Sequence, residues 1–182
     1  MPTPALLIID MQVGMRLPSA GQRNNPMAED NIAALLTAWR KAGAPVVHIR
    51  HISRTPRSPF WPGQPGVEFQ PQFVPLPTEH VVEKNIPDAF VHSGLERWLQ
   101  NRSIDQVAIV GVATNNSVEC TARTAGNLGF STLVVSDATF AFEKPDYDGV
   151  LRSANEVHAM SLANLSGEYA TILDTASLLS AL

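Results

Sequence analysis

The sequence contains a single cysteine, Cys120, among its 182 residues. One cysteine cannot form an intramolecular disulfide or supply a cysteine-rich zinc or iron–sulfur site, which excludes disulfide-stabilised and metal-cluster proteins. No hydrophobic run approaches the roughly 20 residues of a membrane-spanning helix, and the N-terminus lacks the basic and apolar segments of a signal peptide. We therefore expect a cytoplasmic protein without a membrane partner.

Charge of either sign is also sparse. Seventeen acidic and thirteen basic residues give a net charge of −4, and neither sign forms a long run. The basic surface that binds a nucleic acid is therefore not evident, and a small neutral or mixed-charge substrate suits this balance better. A chain of this length with 45% hydrophobic residues fills one core, so we expect a single domain over residues 1–182.

Short apolar, β-branched runs alternate with helical patterns along the chain. This alternation predicts an α/β fold with a mostly parallel, six-stranded sheet and helices on both faces. The predicted strands are Ala5–Ile9, Pro45–Ile49, His80–Val82, Gln106–Val110, Ser131–Val135 and Tyr169–Leu173. The predicted helices are Asp30–Lys41, Leu95–Asn101, Ser117–Leu128 and Tyr147–Asn164.

The segment from Ser53 to Pro77 departs from this alternation, because it holds seven prolines together with several aromatic residues. A plain linker has no need to bury aromatic rings, so we expect the segment to fold over the active site or a second subunit. Phe60 and Trp61 are candidates for a lid or a specificity wall, with Phe140 on the opposite side. Burial of Trp61 by a neighbouring protomer is an equal alternative.

Three polar residues follow the ends of predicted strands. Asp10 closes the first strand, Lys84 closes the third, and Ser117 comes after the fourth. Ligands bind at the carboxyl ends of parallel strands, where these side chains converge, and a buried acid and a buried cation each need a partner. The alternatives are a capping role for Asp10 and Ser117 and a solvated strand end for Lys84.

Sequence motifs around these residues resemble those of the isochorismatase-like hydrolase family, also called the cysteine hydrolases. The motifs are Leu7-Ile-Ile-Asp10-Met-Gln12, Val82-Glu-Lys84 with Ala89-Phe90, Gly111-Val-Ala-Thr114 with Val118-Glu119, and Val135-Ser-Asp137-Ala138. They span nearly the whole chain in the family's order. The resemblance implies a doubly wound sheet with strand order 3-2-1-4-5-6.

The resemblance also implies a catalytic triad that cleaves C–N bonds of small amides. Asp10 would be the general base, Lys84 the cation beside it, and residue 117 the nucleophile. A cis peptide is implied between Val112 and Ala113, with the N–H groups of Ala113 and Ser117 facing the developing oxyanion. The residues Asn115 and Asn116, which directly precede position 117, are typical of the cysteine-bearing members, and we expect Asn115 to contact the substrate.

The nucleophile position departs from the family, because it holds Ser117 where the family has cysteine. A hydroxyl is a far weaker acid than a thiol, and an aspartate does not activate serine as histidine does. We therefore expect low or no amidase activity. Ser117 is either a deliberate substitution or a natural divergence. Cys120, about one helical turn deeper, is expected to be a packed thiol.

Metal and cofactor sites are not expected. Nicotinamidases of this family carry an Asp-x-His metal motif after the second strand, whereas this chain has His48 and His51, which face opposite sides of an extended strand. We expect His51 to line the pocket and His48 to be an ordinary strand residue. His158 is expected to be a packed helix residue.

Two further functions remain open. One is the vinyl-ether hydrolysis of isochorismatase itself, which uses the aspartate and needs no cysteine. The other is a non-catalytic protein that binds small molecules after losing its nucleophile. In each case the partner is a small molecule, and the resemblance implies a homo-oligomer, either a dimer or a tetramer.

Overall fold

A computed structural model describes residues 3–182 as one six-stranded parallel sheet flanked by helices. The strands in this range are β1 (Ala5–Ile9), β2 (Val46–His51), β3 (His80–Lys84), β4 (Gln106–Val112), β5 (Ser131–Phe140), β6 (Lys144–Pro145), β7 (Leu151–Arg152) and β8 (Thr171–Leu173). The α-helices are α1 (Ala28–Ala42), α2 (Leu95–Gln100), α3 (Glu119–Asn127), α4 (Ala154–Leu165) and α5 (Thr175–Ser180).

The order of the sheet is β3-β2-β1-β4-β5-β8, and each neighbouring pair is parallel. The predicted doubly wound fold is therefore confirmed, with β8 as the sixth strand of the sheet. β6 and β7 form a separate antiparallel hairpin. No helix within residues 3–182 is both long and apolar enough to cross a membrane.

Hydrophobic side chains cover both faces of the sheet, and the central strand β1 is buried along its whole length. Leu7 and Ile9 point to one core, which includes residues of α2 and α3. Leu6 and Ile8 point to the other, which includes residues of α1 and α5. Because successive side chains of a strand alternate between faces, an entirely apolar strand is what a sheet covered on both sides requires.

The strand order reverses between β1 and β4, which lie side by side with Ile9 opposite Gly111. The backbones of these two strands approach so closely here that a Cβ on Gly111 would lie 2.1 Å from the carbonyl oxygen of Ile9. Gly111 also has a φ of 114°. Glycine is required at this position for both reasons, and it brings the segments after β1 and β4 together.

Two predicted helix starts are wrong. The helix predicted over Ser117–Leu128 begins earlier, with a π-helical turn over Thr114–Val118 that continues into α3. The helix predicted over Tyr147–Asn164 begins later, at Ala154. The side chain of Asp146 accepts from the N–H groups of Asp148 and Val150 and closes the β6–β7 hairpin, while the reciprocal capping box of Ser153 and Glu156 starts α4.

The proline-rich segment folds back on its own chain, over the carboxyl end of β1. The N–H of Gln70 donates to the carbonyl of Met11, and the N–H of Val13 donates to that of Glu68. Phe73 is completely buried in the core that contains α1. The aromatic residues of the segment are thus used partly as core, which explains why the segment is not a simple linker.

Candidate active site

The ammonium group of Lys84 lies between Asp10 and Ser117. It donates to Asp10 Oδ2 over 2.7 Å and to Ser117 Oγ over 3.2 Å. All three residues are buried, with exposed fractions of 1%, 4% and 6% for Asp10, Lys84 and Ser117. The structure thus brings together the three residues that the sequence placed at the sheet edge, and it pairs the buried acid with the buried cation.

Each of the three side chains reaches this point from a different strand end. Asp10 directly follows β1 and has a φ of 52°, which turns the chain away from the strand direction. Lys84 is the last residue of β3, at the edge of the sheet. Ser117 lies in the π-helical turn that follows β4. The convergence follows from the parallel direction of the strands, because their carboxyl ends all lie at the same end of the sheet.

The second carboxylate oxygen of Asp10 differs from the first. Asp10 Oδ1 is buried and has no hydrogen-bond partner within residues 3–182. A buried carboxylate oxygen normally has a donor. This oxygen is therefore available to a substrate, to water or to the proton of a nucleophile at position 117.

The π-helical turn over residues 114–118 starts just after an unusual peptide bond. The bond between Val112 and Ala113 is cis, at the position where the family resemblance implies one. The carbonyl of Ala113 accepts from the N–H groups of Asn116 and Val118, which tightens the start of the turn. The backbone around residue 117 is thereby held next to Lys84.

A cleft of about 500 Å³ opens beside Lys84 and is bounded on one side by Trp61. The remaining residues that line it come from the ends of β2 and β3 and from the start of the proline-rich segment: Ile52, Ser53, Arg54, Pro62, Glu83 and Asn85. Trp61 lines this cleft, and its role as a specificity wall stays a prediction. The volume is that of a small-molecule site.

His51 and Phe60 lie near this cleft. Their rings meet edge to face, with centroids 6.0 Å apart. Burial lowers the pKa of His51, and the positive charge of Lys84 lowers it further, while the charge of Asp10 opposes both. Phe60 also packs against Gly14, where a Cβ would lie 2.6 Å from its ring. Phe60 therefore packs between His51, at the end of β2, and Gly14.

Two residues predicted to contact the substrate lie elsewhere. Phe140 has no exposed surface, and the guanidinium of Arg23 covers its ring at 3.5 Å, so it belongs to the core and not to a pocket wall. Asn115 lines a different groove, between α4 and the β6–β7 hairpin. Phe140 ends β5 and Asn115 follows β4, and neither lines the cleft beside Lys84.

Gln12 is a structural residue that the sequence did not single out. Its side-chain amide donates to the carbonyls of His51 and Val67 and accepts from the N–H of His51. The residue is completely buried. It therefore joins the end of β1, the end of β2 and the proline-rich segment. Its place in the first motif, two residues after Asp10, was the available signal.

The other candidate residues are placed as follows. His48 and Glu79 are bonded over 2.9 Å on the side of the sheet that carries α1, and no group of three or more potential metal ligands is found within residues 3–182. Burial raises the pKa of Cys120, and Asp88 and Glu119 raise it further, which does not favour a reactive thiol. His158 is buried and contacts Thr114.

Comparisons with known proteins bear on the family and the fold of the chain. A family model of the Isochorismatase domain matches residues 4–177. The crystal structure of a putative isochorismatase-family hydrolase from Chromobacterium violaceum is 49% identical, with a TM-score of 0.96, covering 98% of this chain and 93% of that one.

Two sequence relatives extend the comparison. The uncharacterised isochorismatase family protein YrdC of Bacillus subtilis is 38% identical over 96% of this chain and 94% of its own length. Nicotinamidase 3 of Arabidopsis thaliana is 30% identical over 93% of this chain and 84% of its own length. The family model and these relatives cover nearly the whole chain, and the chain belongs to the isochorismatase family of hydrolases.

Proposed function

We propose that the site is built to hydrolyse an amide-type C–N bond of a small molecule, with Asp10, Lys84 and residue 117 as its catalytic residues. The observation that carries this proposal is the buried ammonium of Lys84, which donates to both Asp10 and Ser117. The name of one relative, Nicotinamidase 3, denotes an amidase and supports the same reaction class.

In the first half of the reaction, the side chain of residue 117 attacks the carbonyl carbon of the amide. Its proton passes to Asp10, whose Oδ1 has no other partner within the described residues. The N–H groups of Ala113 and residue 117 stabilise the tetrahedral oxyanion. Lys84 donates to Asp10 Oδ2 over 2.7 Å before the attack and balances the negative charge that forms.

In the second half, the C–N bond breaks and Asp10 returns the proton to the leaving amine. An acyl group then remains on residue 117. Asp10 takes a proton from a water molecule, which attacks the acyl carbon, and the carboxylic acid product leaves as residue 117 regains its proton. The aspartate thus acts alternately as base and acid, and no cofactor takes part in this proposal.

Ser117 impairs this reaction as the chain stands. A thiol has a reference pKa of about 8.5, which a nearby lysine and a helix N-terminus lower toward neutrality. A hydroxyl remains protonated under the same conditions, and an aspartate is too weak a base to remove its proton efficiently. The cation and acid around position 117 thus suit a thiolate better than an alkoxide.

We predict that Ser117→Cys raises kcat/KM for small amides by at least about 100-fold, because the site suits a thiolate better than an alkoxide. A 100-fold increase corresponds to a barrier lower by about 2.7 kcal/mol. Ammonia or amine release from a panel of small amides measures the change, and Asp10→Asn in the same background should abolish the gain. Equal rates for the Ser117 and Ser117→Cys proteins would contradict the impairment. An inactive Ser117→Cys protein that still binds an amide tightly would favour a binding protein.

Isochorismatase-type cleavage of a vinyl ether is the second candidate. The buried Oδ1 of Asp10, which has no partner within residues 3–182, favours it, since protonation by a carboxyl group requires no thiol. Product analysis distinguishes the two reactions: the vinyl ether gives pyruvate, and the amide gives ammonia or an amine. Pyruvate release that needs Asp10 and is indifferent to Ser117→Cys would establish this alternative.

We also infer a cytoplasmic homo-oligomer, a dimer or a tetramer, that does not act on nucleic acid. The free thiol of Cys120 suits a reducing compartment. Tyr147 and Met160 are strongly exposed and line a groove of about 910 Å³ between α4 and the β6–β7 hairpin, as residues of an unpartnered interface would. Light scattering on the purified protein measures the assembly, and a monomer at micromolar concentration would refute it.

A further inference from the structure

Helix α4 holds the π-helical turn of residues 114–118 through two side chains on its inner face. His158 and Ser161 are three residues apart and therefore lie on the same side of the helix. Both are buried, with exposed fractions of 8% and 2%. Neither belongs to the triad, and both contact Thr114, the first residue of the turn.

The imidazole of His158 meets the hydroxyl of Thr114. His158 Nδ1 lies 2.8 Å from Thr114 Oγ1, and Nε2 lies 3.5 Å from Asn25 Nδ2. Burial lowers the pKa of His158, while a bond with the carbonyl of Ser136 partly offsets this. Nδ1 and the hydroxyl of Thr114 share one hydrogen bond, and the tautomer of the ring decides which of the two donates.

The hydroxyl of Ser161 contacts both ends of the same turn. Ser161 Oγ lies 2.9 Å from the carbonyl oxygen of Thr114 and 2.7 Å from Glu119 Oε2. Glu119 is the residue that follows the π-helical turn. The single proton of the hydroxyl is shared between two acceptors, one at the first residue of the turn and one just after its last.

A π-helical turn is rare and depends on its surroundings, because its i→i+5 bonds close a wider ring than those of an α-helix. Here α4 fixes the side chain and the carbonyl of Thr114 and the carboxylate of Glu119. The position of Ser117 Oγ relative to Lys84 Nζ, 3.2 Å away, depends on how this turn is held. A shift of about 1 Å at such a position is large enough to lower a rate 100-fold.

We propose that His158 and Ser161 are positioning residues, which act through Thr114 and Glu119 to hold residue 117 beside Lys84. The inference rests on the proposed function, because it assigns residue 117 the role of nucleophile. It extends that function to a helix more than 30 residues away along the chain. It also gives the buried His158 a role other than packing.

The test uses the Ser117→Cys, Cys120→Ala protein, which has one thiol. In this background, His158→Leu and Thr114→Val each remove the bond, whereas His158→Asn keeps a hydrogen-bonding amide near the place of Nδ1 and Thr114→Ser keeps the hydroxyl. We expect the first pair to lower kcat at least about tenfold with KM changed less than threefold, and the second pair to restore most of the loss. Asn155→Ala, on the exposed face of α4, is the matched control.

Two further measurements keep the proposal falsifiable. Alkylation of the thiol at position 117 by iodoacetamide reports the geometry of the turn even if no amide is cleaved, so failure of the proposed function and failure of this inference are separable. We expect His158→Leu and Thr114→Val to slow alkylation at least threefold in folded protein, as judged by circular dichroism. If both leave kcat and alkylation unchanged, or if the conservative variants fail to recover them, the positioning role is refuted.

Discussion

At the scale of single residues, the site depends on a close approach of backbone between β1 and β4. Gly111 lies opposite Ile9 with a φ of 114° and leaves no room for a side chain. The two segments that carry Asp10 and Ser117 begin immediately after this contact. Any separation of the strands at Gly111 therefore changes the distance between the acid and the nucleophile position.

We predict that Gly111→Ala destabilises the protein by about 3 to 5 kcal/mol, since the new methyl group meets a backbone carbonyl and the backbone is strained for alanine. Urea unfolding measures the free energy. Gly43→Ala is the matched control, because Gly43 also has a positive φ, 63°, but a Cβ added there would have no heavy atom within 4 Å. We expect about 1 kcal/mol there, and equal losses for both variants would disprove the steric argument.

The side-chain directions show what sequence can and cannot predict at this scale. Asp10, Lys84 and Ser117 were singled out because each lies at or after the end of a predicted strand, and the family resemblance implied the order of those strands. Phe140 was expected to follow a strand that ends at Val135, whereas β5 runs on to Phe140 past a register shift against Ile109 and Gly111 of β4. A shift in register breaks the simple alternation of faces, and its position depends on packing that the local sequence does not encode.

At the scale of elements, Gln12 joins three segments that lie around the cleft. Its amide bonds to both backbone groups of His51 and to the carbonyl of Val67, so the end of β2 and the proline-rich segment share one anchor. Trp61, which bounds the cleft, lies between these two anchored points of the chain. The position of that wall consequently depends on Gln12.

We predict that Gln12→Ala lowers the free energy of unfolding by about 2 to 4 kcal/mol, because it leaves buried backbone groups without partners. Trypsin should also cut the exposed Arg54 and Arg57 faster, as the segment between them and β3 loosens. Gln72→Ala is the control, because Gln72 is an exposed glutamine of the proline-rich segment. Cleavage at the same rate in both variants would rule out an anchoring role for Gln12.

The elements themselves were largely predictable, and the exceptions have a common cause. Apolar strands, and helices that end at a glycine, are local patterns, and they predicted the six strands of the sheet correctly. The π-helical turn over Thr114–Val118 is held by residues of α4, which are distant in sequence. The start of α4 was missed because the hairpin closed by Asp146 competes with a helix through side-chain bonds.

At the scale of the whole molecule, a buried charged cluster ties α1 to β2 and to the segment before β3. Arg40 on α1 donates to Glu79 from two nitrogens, and His48 on β2 contacts the same carboxylate. Burial alone would raise the pKa of Glu79, but bonds from Arg40, the Leu76 N–H and His48 lower it to about 2. The cluster therefore stabilises the fold while Glu79 is ionised.

We predict that Glu79→Gln lowers the free energy of unfolding at pH 7 by up to about 3 kcal/mol. The pKa of Glu79 is lowered from 4.5 to about 2 on folding, so its stabilisation is complete above pH 4.5 and is lost as the pH falls toward 2. The difference between the wild type and the variant should shrink across this range in urea titrations. A difference that does not depend on pH would contradict the ionic mechanism, and Glu168→Gln at an exposed position is the control.

The origin of Lys84 has a consequence for how the site is coupled to the rest of the protein. Lys84 comes from β3, the outermost strand, yet its ammonium contacts an acid that follows the central strand β1, with β2 between them. Neighbouring strands lie about 4.8 Å apart, so only a long side chain crosses this gap. The outermost strand of a sheet is the one most open to fraying, and here it supplies the ammonium group of the site. A disturbance of β3 would therefore displace the ammonium of Lys84 even where Asp10 and Ser117 stay in place.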